Sequence, residues 1–456
     1  MRNDMTVGSE WKHIVMFSLP IMAGNLLQQL YNTVDGIVVG NYVSESALAA
    51  VGNCAILATV FLAVAMGLSG GAGIMIAQYF GAKDEGNMRS ACSTALILLL
   101  VLGVVFTVLG IAFARRLCER LMDISDPEVL DMSATYFAIY ASGLIFQFCY
   151  NIVAFVLRGV GDSKATLYFL MVSAALNVVL DLYFVISLGW GVSGVAIATV
   201  ISQAACTIVS IIYMFKKYPI FRFKRSEFVF EAEKCKLCLR LGIPATLQQC
   251  IISFGSVFIQ RLINSFGQVT MSAYTVGMRV ESYVFIPIFS FNIGLGTFTG
   301  QNMGAGKIDR IKRAWKSVSV FAVGVCICIS ATTYIFAVPL SKLFGVSGQT
   351  LIQSVEYIHY LSKFFVIFAL YMVAGGVLHG AGDVIYSSCC TLSSLLVRVV
   401  CSYLLVYGFG FGYNAAWLCI PVGWLCAMVL AYIRYFGGQW MKKGLVKRDD
   451  LAAWEA

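Results

Sequence analysis

Phe17–Gly40 reads FSLPIMAGNLLQQLYNTVDGIVVG, an apolar run that nevertheless contains Asp35. About 20 apolar residues suffice for a helix to cross a bilayer. An Asp near the middle of such a helix costs roughly 2.5–3.5 kcal/mol on insertion, so intramembrane carboxylates face a cavity or a partner and mark function. Pro20 lies fifteen residues earlier in the same run. It removes a backbone hydrogen bond and predicts a kink, which a membrane helix tolerates where protein or water satisfies the freed groups.

The rest of the chain has the composition of a bilayer protein. Of 456 residues, 59% are hydrophobic and 12% charged, with a mean hydropathy of +0.83; soluble domains carry about 25% charged residues. The apolar run after the polar leader Met1–His13 exceeds the roughly 7–15 residues of a signal-peptide core, so the first span is expected to be retained. The net charge of +9 has no soluble basic domain to reside in, which argues against nucleic acid as a partner. Most of the fifteen cysteines are singletons in apolar segments, where Cys behaves as a small hydrophobe. Cys235 and Cys238 form a CxxC, but a zinc site needs four ligands and no His lies nearby. No nucleophile with a base, metal-ligand cluster or phosphate-cradling loop is recognisable, so neither an enzyme nor a prosthetic cofactor is expected.

Apolar segments fall near 14–39, 50–77, 92–114, 134–156, 165–188, 192–215, 241–266, 273–300, 317–340, 358–378, 385–407 and 414–436. Twelve spans put both termini on one side. The regions on that side, with Arg434 at the end of the last segment, hold 24 Lys and Arg against four (Arg115, Arg116, Arg120, Lys342) on the other, so the positive-inside rule makes both termini cytoplasmic. The expected location is the plasma membrane.

The two halves repeat one another. RGVGD (158–162) answers HGAGD (379–383) and GWG (189–191) answers GFG (410–412) at an offset of 221. SGGAGIMIAQYFGAK (69–83) answers NIGLGTFTGQNMGAGK (292–307) at 223, and SLP (18–20) answers GIP (242–244) at 224. Six spans per copy give both copies the same orientation, hence a parallel repeat about an axis along the membrane normal, with substrate expected between the halves. The expected fold is an all-α membrane protein of 12 transmembrane helices in two six-helix bundles. Its parts are a first bundle (1–215), a basic cytoplasmic linker (216–240), a second bundle (241–436) and a tail (437–456). The repeated glycines read as packing and turn residues.

Among the acidic residues only Asp35, Asp181 and Glu281 lie well inside the spans. Topology puts Asp35 and Asp181 a turn or two below the outer end, with Thr199 at a similar level. Asn177 lies one turn deeper than Asp181 on the same helical face. No Lys or Arg sits inside the first-half spans to neutralise the two carboxylates, which are therefore expected to share a proton or coordinate a cation through oxygen ligands. In the second half Asp181 corresponds to Ser402 and Asn177 to Arg398. The buried ionisable residues there are expected to be Arg261, Arg279, Glu281, Lys363 and Arg398, with Glu281 either neutralising a basic group or handling substrate or protons. Tyr31, Pro20, Glu281 and Arg398 are candidates for substrate contact or structural roles.

Pro20 with Asp35, LNVVLD (176–181), Thr199 and the repeated AQYFGAK and GQNMGAG loops resemble the multidrug and toxic compound extrusion (MATE) transporters over nearly the whole chain. The resemblance implies two six-helix bundles forming a V around a central cavity, alternating access, and export of organic cations in exchange for protons or sodium. It further implies a coupling site at Asp35, Asn177, Asp181 and Thr199, as in the branch whose cation site is in the first bundle. Another branch uses carboxylates in spans seven and ten; here span seven offers Gln248 and Gln249, and span ten no acid. Expected partners are small organic molecules and membrane lipids, with the chain a monomer. The alternative is a flippase for lipid-linked saccharides or related lipids, which would line its cavity with several Arg or Lys.

Overall fold

The computed structural model describes residues 4–122, 124, 126–223 and 228–446. Arg2, Lys224, Arg225, Lys447 and Arg448, assigned above to the cytoplasmic side, lie outside the described residues, as does the tail from 447 onward. The chain is almost entirely helical, as a bilayer requires where no water satisfies backbone groups. The first half contains α1 (Glu10–Tyr42), α2 (Glu45–Gly81), α3 (Glu85–Leu121), α4 (Pro127–Ser142), α5 (Leu144–Gly159), α6 (Ser163–Leu182) and α7 (Gly191–Lys217). The second contains α8 (Ala232–Asn264), α9 (Gln268–Gly304), α10 (Ile308–Ile335), α11 (Ala337–Lys342), α12 (Gly348–Ser362), α13 (Phe365–Gly380), α14 (Val384–Tyr403) and α15 (Ala415–Phe436).

Among the described residues ten single helices are long and apolar enough to cross a membrane, and two bent pairs bring the number to twelve if each is one span: α4 with α5 (46°) and α12 with α13 (51°). The single spans expected at 134–156 and 358–378 are thus each two helices. The first break falls at Gly143, where a side chain would meet Val200 Cγ2 at 2.9 Å. At Pro20, α1 continues as one 33-residue helix through the proline. Polar starts extend several helices beyond their apolar runs. Ser44 caps α2 through Ala47 N (3.0 Å), and Asp126 caps α4 through Glu128 N (2.9 Å) ahead of Pro127.

The repeat extends to details invisible in composition. α6 ends in a π-helical turn at Tyr183–Ser187 and α14 ends in one at Leu404–Gly408, again 221 residues apart. Gly161 and Gly382 follow α5 and α13 with φ of +89° and +90°, a conformation that disfavours any side chain.

The chain forms two compact units whose boundaries fall inside helices: Pro20–Thr246, and Met1–Leu19 with Leu247–Ala456. The leading turns of α8 therefore pack in the first unit and those of α1 in the second. Small residues permit both contacts. A Cβ on Gly71 of α2 would sit 2.8 Å from the Cys238 carbonyl and 2.8 Å from the Gly242 nitrogen of α8, while one on Gly294 of α9 would strike Ser18 of α1. Gly71 and Gly294 are repeat partners, as are Gly242 and Ser18.

The repeated AQYFGAK and GQNMGAG turns anchor the chain entering each unit. In the second unit Met5 N donates to Gln301 Oε1 (2.9 Å) and Lys307 Nζ to the Thr6 carbonyl (3.0 Å). In the first unit Lys234 Nζ donates to Tyr79 OH of the turn (3.0 Å), and on the neighbouring α3 Ser93 Oγ donates to the Val229 carbonyl (2.9 Å) while Thr94 Oγ1 accepts from Glu231 N (3.1 Å).

Candidate coupling site

Asp35 follows Tyr31 by four residues on α1, so both side chains lie on one helical face. On α6 the same spacing pairs Asn177 with Asp181, and Thr199 faces them from α7. Asp181, Asn177 and Thr199 are buried at 0%, 1% and 4% exposure. The Asn177 amide is surrounded so that its nitrogen belongs toward the carboxylates, where it donates to Asp35 Oδ1 and Asp181 Oδ2, each at 3.0 Å. The other end of the amide lies 3.5 Å from Thr199 Oγ1, whose hydroxyl donates to the Val195 carbonyl (3.0 Å). One neutral donor thus holds two carboxylates from different helices.

No ion pair joins either carboxylate to Lys or Arg among the described residues, and Asp181 Oδ1 has no hydrogen-bond partner. Buried carboxylates without a cationic partner are costly. The arrangement can lower that cost by holding a proton on the pair, or by taking a small cation on Asp35, Asp181, Thr199 and the Asn177 oxygen, which requires the amide to turn over. No group of three His, Cys, Asp or Glu that could hold a metal occurs among the described residues.

The second half places its ionisable residues differently from expectation. Glu281 is buried, but Arg261, Arg279 and Lys363 are exposed. Their flexible stems carry the charge clear of the packed protein, and Lys363 sits in the break between α12 and α13. Glu281 Oε2 instead accepts from Tyr357 OH (2.8 Å) and Arg398 donates to Tyr274 OH (2.9 Å), with the two tyrosine rings edge to face at 5.8 Å.

Sequence reading attached no chemistry to the aspartates that end RGVGD and HGAGD. Asp162, 4% exposed, accepts from Lys217 Nζ (2.8 Å), Tyr213 OH (3.0 Å) and Tyr218 OH (2.9 Å). Asp383, equally buried, accepts from Arg434 Nε (2.6 Å) and Nη2 (3.2 Å). Each ties the start of α6 or α14 to the end of the last span of its half. The available signal was a charged residue recurring at a constant offset beside glycines.

A multi-span helical membrane protein built as a tandem repeat, with a pair of carboxylates in one copy that no cation offsets among the described residues, has the architecture of a transporter. The MatE family profile matches twice, at residues 20–183 and 244–404, and the chain belongs to that family. It is a membrane transporter and not an enzyme. It is 28% identical over 451 residues to the probable multidrug resistance protein YoeA of Bacillus subtilis, covering 96% of each chain. It is 27% identical over 445 residues to YpnP of the same organism, a second probable multidrug resistance protein, covering 96% of this chain and 97% of that one. A solved outward-facing multidrug resistance MATE transporter superimposes with a TM-score of 0.90 at 25% identity, covering 97% of this chain and 99% of that one.

Proposed function

We propose that this protein exports organic cations and amphiphiles from the cell by multidrug antiport against an inward flux of protons or sodium, alternating its access between the two sides of the plasma membrane. Both termini are cytoplasmic in this reading. Asp35, Asn177, Asp181 and Thr199 carry the coupling ion, which puts the chain in the branch with a first-half cation site. The observation that carries it is the pair Asp35 and Asp181, held by one neutral amide with no basic partner. Such a pair changes its affinity for a proton or cation when its surroundings move, as coupling requires. The names of the relatives support multidrug substrates. The flippase reading needs several free cationic side chains, whereas Arg398 and Arg434 are already bonded to Tyr274 and Asp383.

The test is dye efflux from vesicles reconstituted with the purified protein, first under a pH gradient and then under a sodium gradient. One gradient alone should drive efflux. Transport indifferent to both would sink the antiport reading.

A further inference from the structure

We propose that Arg398 is a built-in counter-ion: in the second unit its guanidinium is tethered where the first unit takes an exchangeable ion, and it keeps Glu281 from binding an ion of its own. The proposal rests on the reading of Asp35 and Asp181 as the coupling site.

The repeat sets the comparison. At the offset of 221, Asn177 and Asp181 correspond to Arg398 and Ser402 and Thr199 to Ile420, while Asp35 corresponds to Ile259 at 224. Ile259 and Ile420 are each 1% exposed, so two oxygen ligands of the first unit are packed hydrocarbon in the second. The tyrosine beside them is kept, for Tyr136 of α4 corresponds to Tyr357 of α12 and both are buried. What that tyrosine meets has changed. Cys54 of α2, whose thiol donates to the Ser133 carbonyl of α4 (3.2 Å), corresponds at 223 to Gly277 of α9. A Cβ on Gly277 would lie 2.3 Å from the Tyr357 ring, so glycine lets the ring close against α9. One turn further along α9, Glu281 accepts from the Tyr357 hydroxyl, where the first copy has Ala58.

The charges decide what each cluster needs. Two carboxylates around one neutral amide lack positive charge, whereas one carboxylate and one guanidinium balance. Glu281 and Arg398 attract each other across Tyr357 and Tyr274. The ionisable groups facing them are those two tyrosines, on α12 and α9, and Cys419 on α15. None of these brings a further charge near neutral pH.

Arg398 is poorly built as a structural clamp. In the same unit Arg434 grips Asp383 through two nitrogens. Arg398 has five N–H donors, yet among the described residues it makes no direct ion pair, and its buried Nε has no hydrogen-bond partner. An ion pair of imperfect geometry adds little stability over a neutral replacement. What Arg398 supplies at this place is a positive charge that cannot leave.

The experiment uses full-length protein in detergent and in reconstituted vesicles. In an Asp35→Asn/Asp181→Asn background, which lacks both first-unit carboxylates, melting temperature is followed against sodium, millimolar guanidinium and pH at constant ionic strength. With Arg398 intact, or as Arg398→Lys, added cations should change nothing. Arg398→Gln should melt lower and be restored by sodium or guanidinium, or by a fall in pH that puts a proton on Glu281, since a ligand of the folded state raises its stability by mass action. A purely structural arginine would give the loss without the ion dependence. With the first-unit aspartates present, the neutral pair Glu281→Gln/Arg398→Gln should melt near the parent and keep both gradient-driven dye efflux and dye affinity. That variant carries the test if Arg398→Gln does not fold.

A folded Arg398→Gln without ion dependence would overturn the proposal. So would a neutral pair that fails to fold, which would make the cluster a structural ion pair, or one that folds and loses coupling or dye affinity, which would put it in the transport path. Gradient-driven efflux surviving in Asp35→Asn/Asp181→Asn would instead overturn the reading on which the proposal rests.

Discussion

Asp35 Oδ1 and Asp181 Oδ2 each lie 3.0 Å from one nitrogen, that of the Asn177 amide, so two carboxylates on helices far apart in sequence share a donor. Asp35→Asn keeps the size of the side chain and removes a half-buried charge that no cation offsets among the described residues. Gradient-driven dye efflux should collapse while the melting temperature holds or rises, because a desolvation cost disappears with the charge. Undiminished efflux in the variant would move coupling elsewhere, with Glu281 the next candidate.

Glu281 and Arg398 are joined through Tyr357 and Tyr274, not face to face. Glu281→Gln retains an acceptor for Tyr357 but strips a nearby buried anion from Arg398. Stability should fall by about 1–3 kcal/mol, with ion-driven efflux retained in whatever folds. Thermal melting and vesicle transport on the same preparation check this. A variant that melts like the parent but loses coupling would place the coupling site in the second half.

The two buried aspartates of the repeated turns differ in how much each depends on its cation. Asp383 is held by Arg434, whose side chain is only 16% exposed, whereas the Lys217 that holds Asp162 is 46% exposed and two tyrosines donate beside it. Arg434→Met should therefore cost about 3–5 kcal/mol, the loss typical of a buried charge left alone. Lys217→Met should cost distinctly less. Denaturation midpoints in detergent compare the two, and equal losses would contradict the structural distinction.

Close helix contacts predict opposite outcomes for one chemical change. Gly71→Ala drives a methyl into the Cys238 carbonyl and the Gly242 nitrogen, and such overpacking costs about 1–3 kcal/mol. Nothing lies within 4 Å of a Cβ added at Gly52, so Gly52→Ala should leave the helix unchanged or stabilise it by about 0.5–1 kcal/mol. Melting curves of the pair decide the matter, and a neutral Gly71→Ala would mean that α2 and α8 can separate at no cost.

The sequence alone determined the number of spans and the tandem repeat, because hydropathy and a constant offset are properties of the chain as written. It also picked out Asp35 and Asp181, since a carboxylate in an apolar run stands out wherever it ends up, and with them Asn177 by its four-residue spacing from Asp181 and Thr199 by its depth in the topology. The bends at Gly143 and Lys363 were not legible, for an apolar run reads the same whether its helix is straight or broken. Nor was the exposure of Arg261, Arg279 and Lys363, because membership of an apolar segment does not say which face a residue occupies. Tertiary structure alone decided that Asn177 bridges the carboxylates and that the leading turns of α1 and α8 pack with the other half. Those outcomes depend on which side chains meet across helices, and contacts between residues tens to hundreds of positions apart leave no mark in local pattern.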